Sequence, residues 1–108
     1  MEMRPIGRSG IQASALALGC WAIGGGEWWG DNDDRMSVET IHRALELGIN
    51  WVDTARVYGF GHSEEVVGRA LKEIPRDRII ISTKCGIQWY DKNGEPHFTK
   101  EGHEVRRD

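Results

Sequence analysis

Three short apolar stretches separated by amphipathic ones constrain this chain more than any other feature. Ala15-Leu-Ala-Leu18, Ile49-Asn-Trp-Val52 and Ile79-Ile-Ile-Ser-Thr83 read as strands, the last of them strongly β-branched. Between the first two, Val38, Ile41, Ala44 and Leu45 share one face of a helix from about Arg35 to Leu47. Asp33, Asp34 or Ser37 can cap its start, and Gly48 marks its end. Between the second and third, Val66, Val67, Ala70 and Leu71 form the apolar face of a helix over Glu64 to Lys72. Ser63 is its expected N-cap and Ile74-Pro75 its stop. Strand, helix, strand, helix, strand is a parallel α/β layout with both sheet faces covered.

The flanks add less. Residues 2–14 read as a hairpin, with Met3 to Ile6 and Ile11 to Ser14 on either side of Gly7-Arg-Ser-Gly10. Cys20 to Asp34 has no apolar period and reads as a loop holding Trp21, Trp28 and Trp29. Cys85 to Glu104 reads as a polar loop with Trp89, Tyr90 and an Asp91-Lys-Asn-Gly94 turn, and Val105 to Asp108 as the beginning of a helix.

Composition removes several classes of function. With 108 residues, 29% of them charged and a net charge of -3, nothing favours nucleic acid or an anionic membrane surface. No apolar run approaches the roughly 18 residues of a membrane span. The first residues lack a signal pattern, so a cytoplasmic address is expected. Cys20 and Cys85 have no CxxC spacing and are expected as reduced, buried, unreactive thiols. His42, His62, His97 and His103 are scattered, and no metal site is expected.

In parallel α/β folds the chemistry sits at the carboxyl ends of the strands. Those positions here are Gly19-Cys20-Trp21, Asp53-Thr54 and Lys84-Cys85. Asp53 opens the run Asp-Thr-Ala-Arg-Val-Tyr58-Gly-Phe-Gly-His-Ser63-Glu, which leads into the second helix. A phenol has an ordinary pKa near 10 and is a poor acid at neutral pH. An ammonium close to Tyr58 would stabilise its phenolate, and a carboxylate would hold that ammonium in place. Tyr58, Lys84 and Asp53 together would make a general acid able to protonate an oxygen.

Taken singly, each has an ordinary structural explanation: a turn aspartate, a packed tyrosine, a solvated lysine. Gly59-Phe-Gly61-His-Ser63 also imitates a phosphate-binding turn. It lacks a P-loop lysine and follows the second strand, so its glycines are read as conformational. Trp21, Trp28, Trp29 and Trp89 either line an apolar pocket for a ring-bearing ligand or pack loops onto the rim. Trp51, inside a strand, is assigned to the core.

The run from Asp53 to Leu71 closely resembles the signature of the aldo-keto reductases. Leu18-Gly-Cys-Trp21, Ala44-Leu-Glu-Leu-Gly48 and Ile80-Ile-Ser-Thr-Lys84 fall where that family has its first strand, first helix and catalytic lysine. The resemblance is nearer to bacterial and plant-type members and potassium-channel β subunits than to aldose reductases. It implies a (β/α)8 TIM barrel, here its N-terminal hairpin (2–14) capping the bottom and its first β/α units (15–108). It also implies NADP(H) as cofactor and a small-molecule aldehyde or ketone as substrate, reduced to an alcohol. Tyr58 would donate a proton to the carbonyl oxygen as hydride arrives from the nicotinamide. Lys84 would lower the pKa of Tyr58, and Asp53 would pair with Lys84. Gly19, Cys20 and Trp21, with Asp53, would touch the cofactor.

A full barrel takes on the order of 250 residues. The family's catalytic histidine and the later strands that grip the cofactor's phosphates are expected beyond residue 108, in a longer reductase. The alternatives are a cofactor-binding regulatory or partner-binding module, or an inactive truncated fragment.

Overall fold

The computed structural model describes residues 1–91, 93, 96, 97 and 103–106. An antiparallel hairpin opens the chain, with β1 (Met3–Pro5) paired to β2 (Gln12–Ser14). Asn50 ties it to the amino end of the next sheet. Its Oδ1 accepts from Ser14 N at 2.8 Å, and its Nδ2 donates to the Gln12 carbonyl at 3.0 Å.

That next sheet is parallel, with β3 (Leu18–Gly19), β4 (Trp51–Asp53) and β5 (Ile80–Ser82) in the spatial order β3-β4-β5. The expected strand over Ala15 to Leu18 is shorter and displaced. The Ser14 hydroxyl donates to the Leu16 carbonyl at 2.6 Å, closing a bend that leaves Ala15 to Ala17 exposed. The other two strands lie within their expected apolar runs, β4 reaching one residue further to Asp53.

Register and the two-residue period of strands sort the side chains. Gly19 pairs with Asp53, and Asp53 with Ser82, so these three stand abreast. Trp51 and Ile80 share their face. Leu18, Cys20, Val52, Ile79 and Ile81 take the opposite face and enter the main apolar core. Two helices cover that face: α2 (Asp34–Glu46) and α3 (His62–Leu71), numbered after a single turn, α1 (Gly26–Trp29). Ile41, Val66 and Val67 are buried among them, each contributing about 1.5–3 kcal/mol by leaving water.

Asp33 is the cap of α2, its carboxylate accepting from Arg35 N at 3.0 Å and Met36 N at 3.3 Å. Ser63 is not the cap of α3. The helix starts at His62, two residues earlier than expected, after Gly61 in a left-handed conformation, and Ser63 lies fully buried in its first turn. Its hydroxyl shares a 2.8 Å hydrogen bond with Thr54 Oγ1 and donates to the Cys20 carbonyl at 2.8 Å. A polar group sealed from water needs such partners, and here they join the tops of β3 and β4 to α3.

Two loops carry more structure than their sequences suggest. Residues 20–34 contain a 3-10 turn (Ala22–Gly24) and α1, segments too short to show a period. The expected polar loop after Cys85 contains β6 (Gln88–Asp91), flanked by β7 (Pro96–His97) and β8 (His103–Arg106) in an antiparallel sheet. Val105 and Arg106 are therefore strand, not helix. Trp89 pairs with Val105 in the ladder and is fully buried, and aromatic and β-branched residues favour that setting. Lys92 and Gly94 of the expected turn, residues 95 and 98–102 of the expected loop, and Arg107 and Asp108 of the expected helix lie outside the described residues. Among the described residues, no helix is long and apolar enough to cross a membrane.

Candidate active site

Parallel pairing brings the expected residues together. Lys84, two residues beyond β5, sends its ammonium across to Asp53 at the end of β4. Nζ lies 3.0 Å from Asp53 Oδ1, 2.9 Å from Oδ2 and 2.9 Å from the Thr54 carbonyl. Ser82 Oγ donates to the same Oδ1 at 2.5 Å, and accepts from Trp51 Nε1 at 3.0 Å. Burial disfavours the Asp53 charge, but hydrogen bonds from Ser82 and Lys84 and the Lys84 charge outweigh it, holding the carboxyl below its ordinary range. Burial likewise opposes the Lys84 charge. Asp53, with a smaller contribution from Tyr58, overcomes it and moves the ammonium above its ordinary range. Both shifts keep the pair ionised through neutral pH.

Tyr58 overhangs this pair. Lys84 Nζ sits over its ring, 5.2 Å from the centroid. On another side the ring stacks against Trp21, with centroids 6.0 Å apart and planes 27° apart. The loop is held by a backbone contact that only glycine permits. A Cβ on Gly24 would stand 2.7 Å from the Tyr58 carbonyl carbon, and one on Gly59 (φ 61°) would collide with the Gly24 carbonyl oxygen. The next residue, Phe60, also has positive φ, at 52°, a conformation uncommon outside glycine.

The turn does not present itself as an anion cradle. His62 N and Ser63 N donate to the carbonyls of Gly59 and Tyr58 at 3.2 Å each, and Glu64 and Glu65 place negative charge in the first helical turn. Among the described residues, no group of three or more His, Cys, Asp or Glu could hold a metal ion.

The tryptophans divide between a cavity wall and buried packing. Trp21, Trp28 and Trp29 surround a cavity of about 650 Å³ with Glu27, Val57, Tyr58 and Ile87. Trp28 and Trp29 each meet Trp21 edge-on, with centroids at 5.9 and 5.5 Å. Trp89 is instead buried, packed edge-on against Phe60 at 5.4 Å with the Arg56 guanidinium over its ring.

Cys20 departs from expectation as a cofactor contact. It belongs to the helix-facing set and has no exposed surface. Its N–H donates to the Asp53 carbonyl, its carbonyl accepts from Ser63, and its thiol donates to the Leu18 carbonyl. Burial, followed by the Asp53 carboxylate, pushes the thiol up to about 11 against smaller opposing effects of the backbone hydrogen bond with Asp53 and of the Lys84 charge. Cys85, expected buried, is exposed. A nicotinamide fits the remaining rim in kind. Space is open where a Gly19 side chain would stand, and exposed Trp21 lies beside Tyr58.

Sequence reasoning missed Ser82 and placed Trp51 in the core. The available signal was parity: Trp51 and Asp53 lie two residues apart on one strand and Ser82 pairs with Asp53 on the next, so the three share a face, with Lys84 two residues further along.

Fold and site define a parallel α/β scaffold with an ion pair and a phenol gathered at its strand tops. The sequence model of the aldo/keto reductase family matches residues 15–107, and the chain belongs to that oxidoreductase family. Its strands and helices are an N-terminal portion of the family's TIM barrel.

The NADH-specific methylglyoxal reductase of Escherichia coli is 48% identical over 93 residues, covering 85% of this chain and 28% of the relative. The glycerol dehydrogenase structure from Gluconobacter oxydans matches with a TM-score of 0.77 at 46% identity, over 98% of this chain and 30% of that one. An aldo-keto reductase of Klebsiella pneumoniae, solved with NADPH, matches with a TM-score of 0.59 at 30% identity, over 68% of this chain and 24% of that one. A Schizosaccharomyces pombe protein named as a voltage-gated potassium channel β subunit is 42% identical over 86 residues, covering 78% of this chain and 24% of that relative. The chain thus spans less than a third of the length of these relatives.

Proposed function

We propose that these residues form the proton-donating part of a longer, nicotinamide-dependent carbonyl reductase. The observation that carries this reading is the Lys84–Asp53 pair at 2.9 Å beneath the Tyr58 ring. The hairpin, bonded to Asn50 at the amino ends of the strands, is its bottom cap.

When bound, the nicotinamide supplies the hydride. Tyr58 donates the phenolic proton to the carbonyl oxygen of an aldehyde or ketone, which becomes the alcohol oxygen. The Lys84 ammonium then faces the phenolate until solvent returns a proton, and fixed positive charge placed where negative charge develops lowers the barrier. Asp53 sets where Lys84 stands. Gly19 and Trp21 offer the surface for the nicotinamide end of the cofactor, and Trp21, Trp28 and Trp29 the apolar wall for substrate. Cys20 supports that rim from behind without touching it.

NADPH is the proposed cofactor, supported by the Klebsiella pneumoniae complex. The NADH-specific name of the Escherichia coli relative makes comparison of the two nicotinamides part of the test. The complete polypeptide should reduce methylglyoxal or a nitrobenzaldehyde, with a higher kcat/KM for NADPH than for NADH. Tyr58→Phe should lower kcat by a factor on the order of 10²–10⁴, the usual worth of a positioned general acid, while leaving the cofactor Kd near its starting value. Undiminished turnover in that variant would refute the assignment. The channel-subunit relative favours one other reading, a sensor or partner module, which would bind the nicotinamide but turn over negligibly.

A further inference from the structure

We propose that Trp51 and Ser82 are positioning residues of this site, forming a directional hydrogen-bond relay that fixes the Asp53 carboxylate and, through it, Lys84. This rests on the carbonyl-reduction reading of Tyr58, Lys84 and Asp53.

Direction follows from the chemistry of the groups. An indole N–H can only donate, so at 3.0 Å the Ser82 oxygen must accept from Trp51 Nε1. The Ser82 proton is thereby left for Asp53 Oδ1, 2.5 Å away. An ionised carboxylate only accepts, so no alternative pattern of donors competes. The relay therefore has one arrangement, indole to hydroxyl to carboxylate, with the Lys84 ammonium closing it from the far side at 3.0 and 2.9 Å.

The backbone reinforces it. Asp53 and Ser82 are ladder partners, and Trp51 precedes Asp53 by one period on the same face. All three side chains project from paired strands rather than loops, which limits their drift. Without Ser82, Oδ1 keeps only the lysine and the carboxylate can rotate about its last torsion, so that Nζ is left with the Thr54 carbonyl as its fixed anchor and its position beneath Tyr58 loosens. Among the described residues, Lys84 beyond β5 is the titratable group bonded to the Asp53 carboxylate; Tyr58 faces Lys84, and the Cys20 thiol lies on the helix side of the sheet, within electrostatic reach of Asp53. Ser82 is the remaining uncharged donor to it.

The test uses the complete polypeptide. Ser82→Ala should lower kcat about tenfold to a hundredfold, as expected for loss of a hydrogen bond to a charged group, with the nicotinamide KM little changed. Trp51→Phe keeps an aromatic ring, though a smaller one, and removes the N–H, and should lower kcat in the same direction by a smaller factor. Ser82→Thr retains a hydroxyl on a strand-compatible side chain and should restore most of the loss. A readout independent of turnover is the Asp53 carboxyl titration, followed by NMR of the carbon-13-labelled carboxyl. Its midpoint should rise toward the ordinary aspartate range in S82A, carrying the acid limb of the kcat profile to higher pH.

An S82A protein with unchanged titration and turnover overturns the relay. So does an S82T protein as impaired as S82A, which would make the effect one of packing. Full turnover in Tyr58→Phe would instead overturn the reduction reading and leave the carboxyl titration to decide the relay.

Discussion

Replacing Gly59 by alanine tests whether the position of Tyr58 is set by the backbone contact between the loops after β3 and β4. Two costs arise at this position. Its φ of 61° is left-handed, which for a residue with a Cβ costs roughly 1–2 kcal/mol. The added methyl would also lie 2.8 Å from the Gly24 carbonyl carbon and 2.9 Å from its Cα, with the carbonyl oxygen closer still. These are backbone atoms with no rotamer to change, so the two loops must separate by about 1 Å, with an overpacking cost of roughly 1–3 kcal/mol. The destabilisation expected from both effects is about 2–5 kcal/mol. Because Tyr58 precedes Gly59 directly, the same displacement moves the phenol, and a misplacement of about 1 Å can lower turnover on the order of a hundredfold.

Gly61→Ala is the matched control. Its φ of 97° is also left-handed, but nothing stands within 4 Å of the added carbon. It should be destabilised by about 1–2 kcal/mol with kcat nearly retained. Urea unfolding and steady-state reduction of methylglyoxal, both on the complete polypeptide, separate the two variants. Equal losses in stability and turnover for Gly59→Ala and Gly61→Ala would refute the loop-contact reasoning.

The two cysteines should differ sharply in reactivity. With its thiol pushed up to about 11 and no exposed surface, Cys20 should resist iodoacetamide at pH 8 while exposed Cys85 is alkylated, as peptide mass spectrometry would reveal. The same shift has a stability consequence. The folded pKa lies above the unfolded value of 9.0, so the contribution is complete below pH 9 and declines as pH rises toward 11. Cys20→Ala should flatten that alkaline decline in urea midpoints, and an unchanged slope would count against the assignment. Ser63→Ala removes a buried hydroxyl bonded to Thr54 and Cys20, and should destabilise by about 1–3 kcal/mol. A loss below a few tenths would show that those groups find other partners.

The strands around Val52 and Ile81 and the helices around Ile41 and Val66 were legible because their apolar periods are local and unambiguous. The strand-top positions of Asp53 and Lys84 were legible for the same reason. What depended on register was not. Cys20 follows Gly19 in sequence yet faces the helices, whereas Ser82, inside an apolar run, faces Asp53; a one-residue change of register would exchange those faces. Ser63 has the composition of a cap, but helix α3 starts at His62 and turns it inward. Trp89 and Val105 reveal themselves as strand only when paired, since no local period marks either segment.

The alternation of faces across β3, β4 and β5 has a consequence for how such a chain tolerates change. Neighbouring residues on one strand answer to different demands. Substitutions at Val52 or Ile79 register as lost soluble yield, because they open voids beneath the helices. Substitutions at Trp51 or Ser82 should register in rate, if the proposed relay holds the carboxylate. A saturation library scored separately for abundance and turnover should therefore show stripes of alternating phenotype along each strand, so that drift on one face leaves the other free to keep its chemistry.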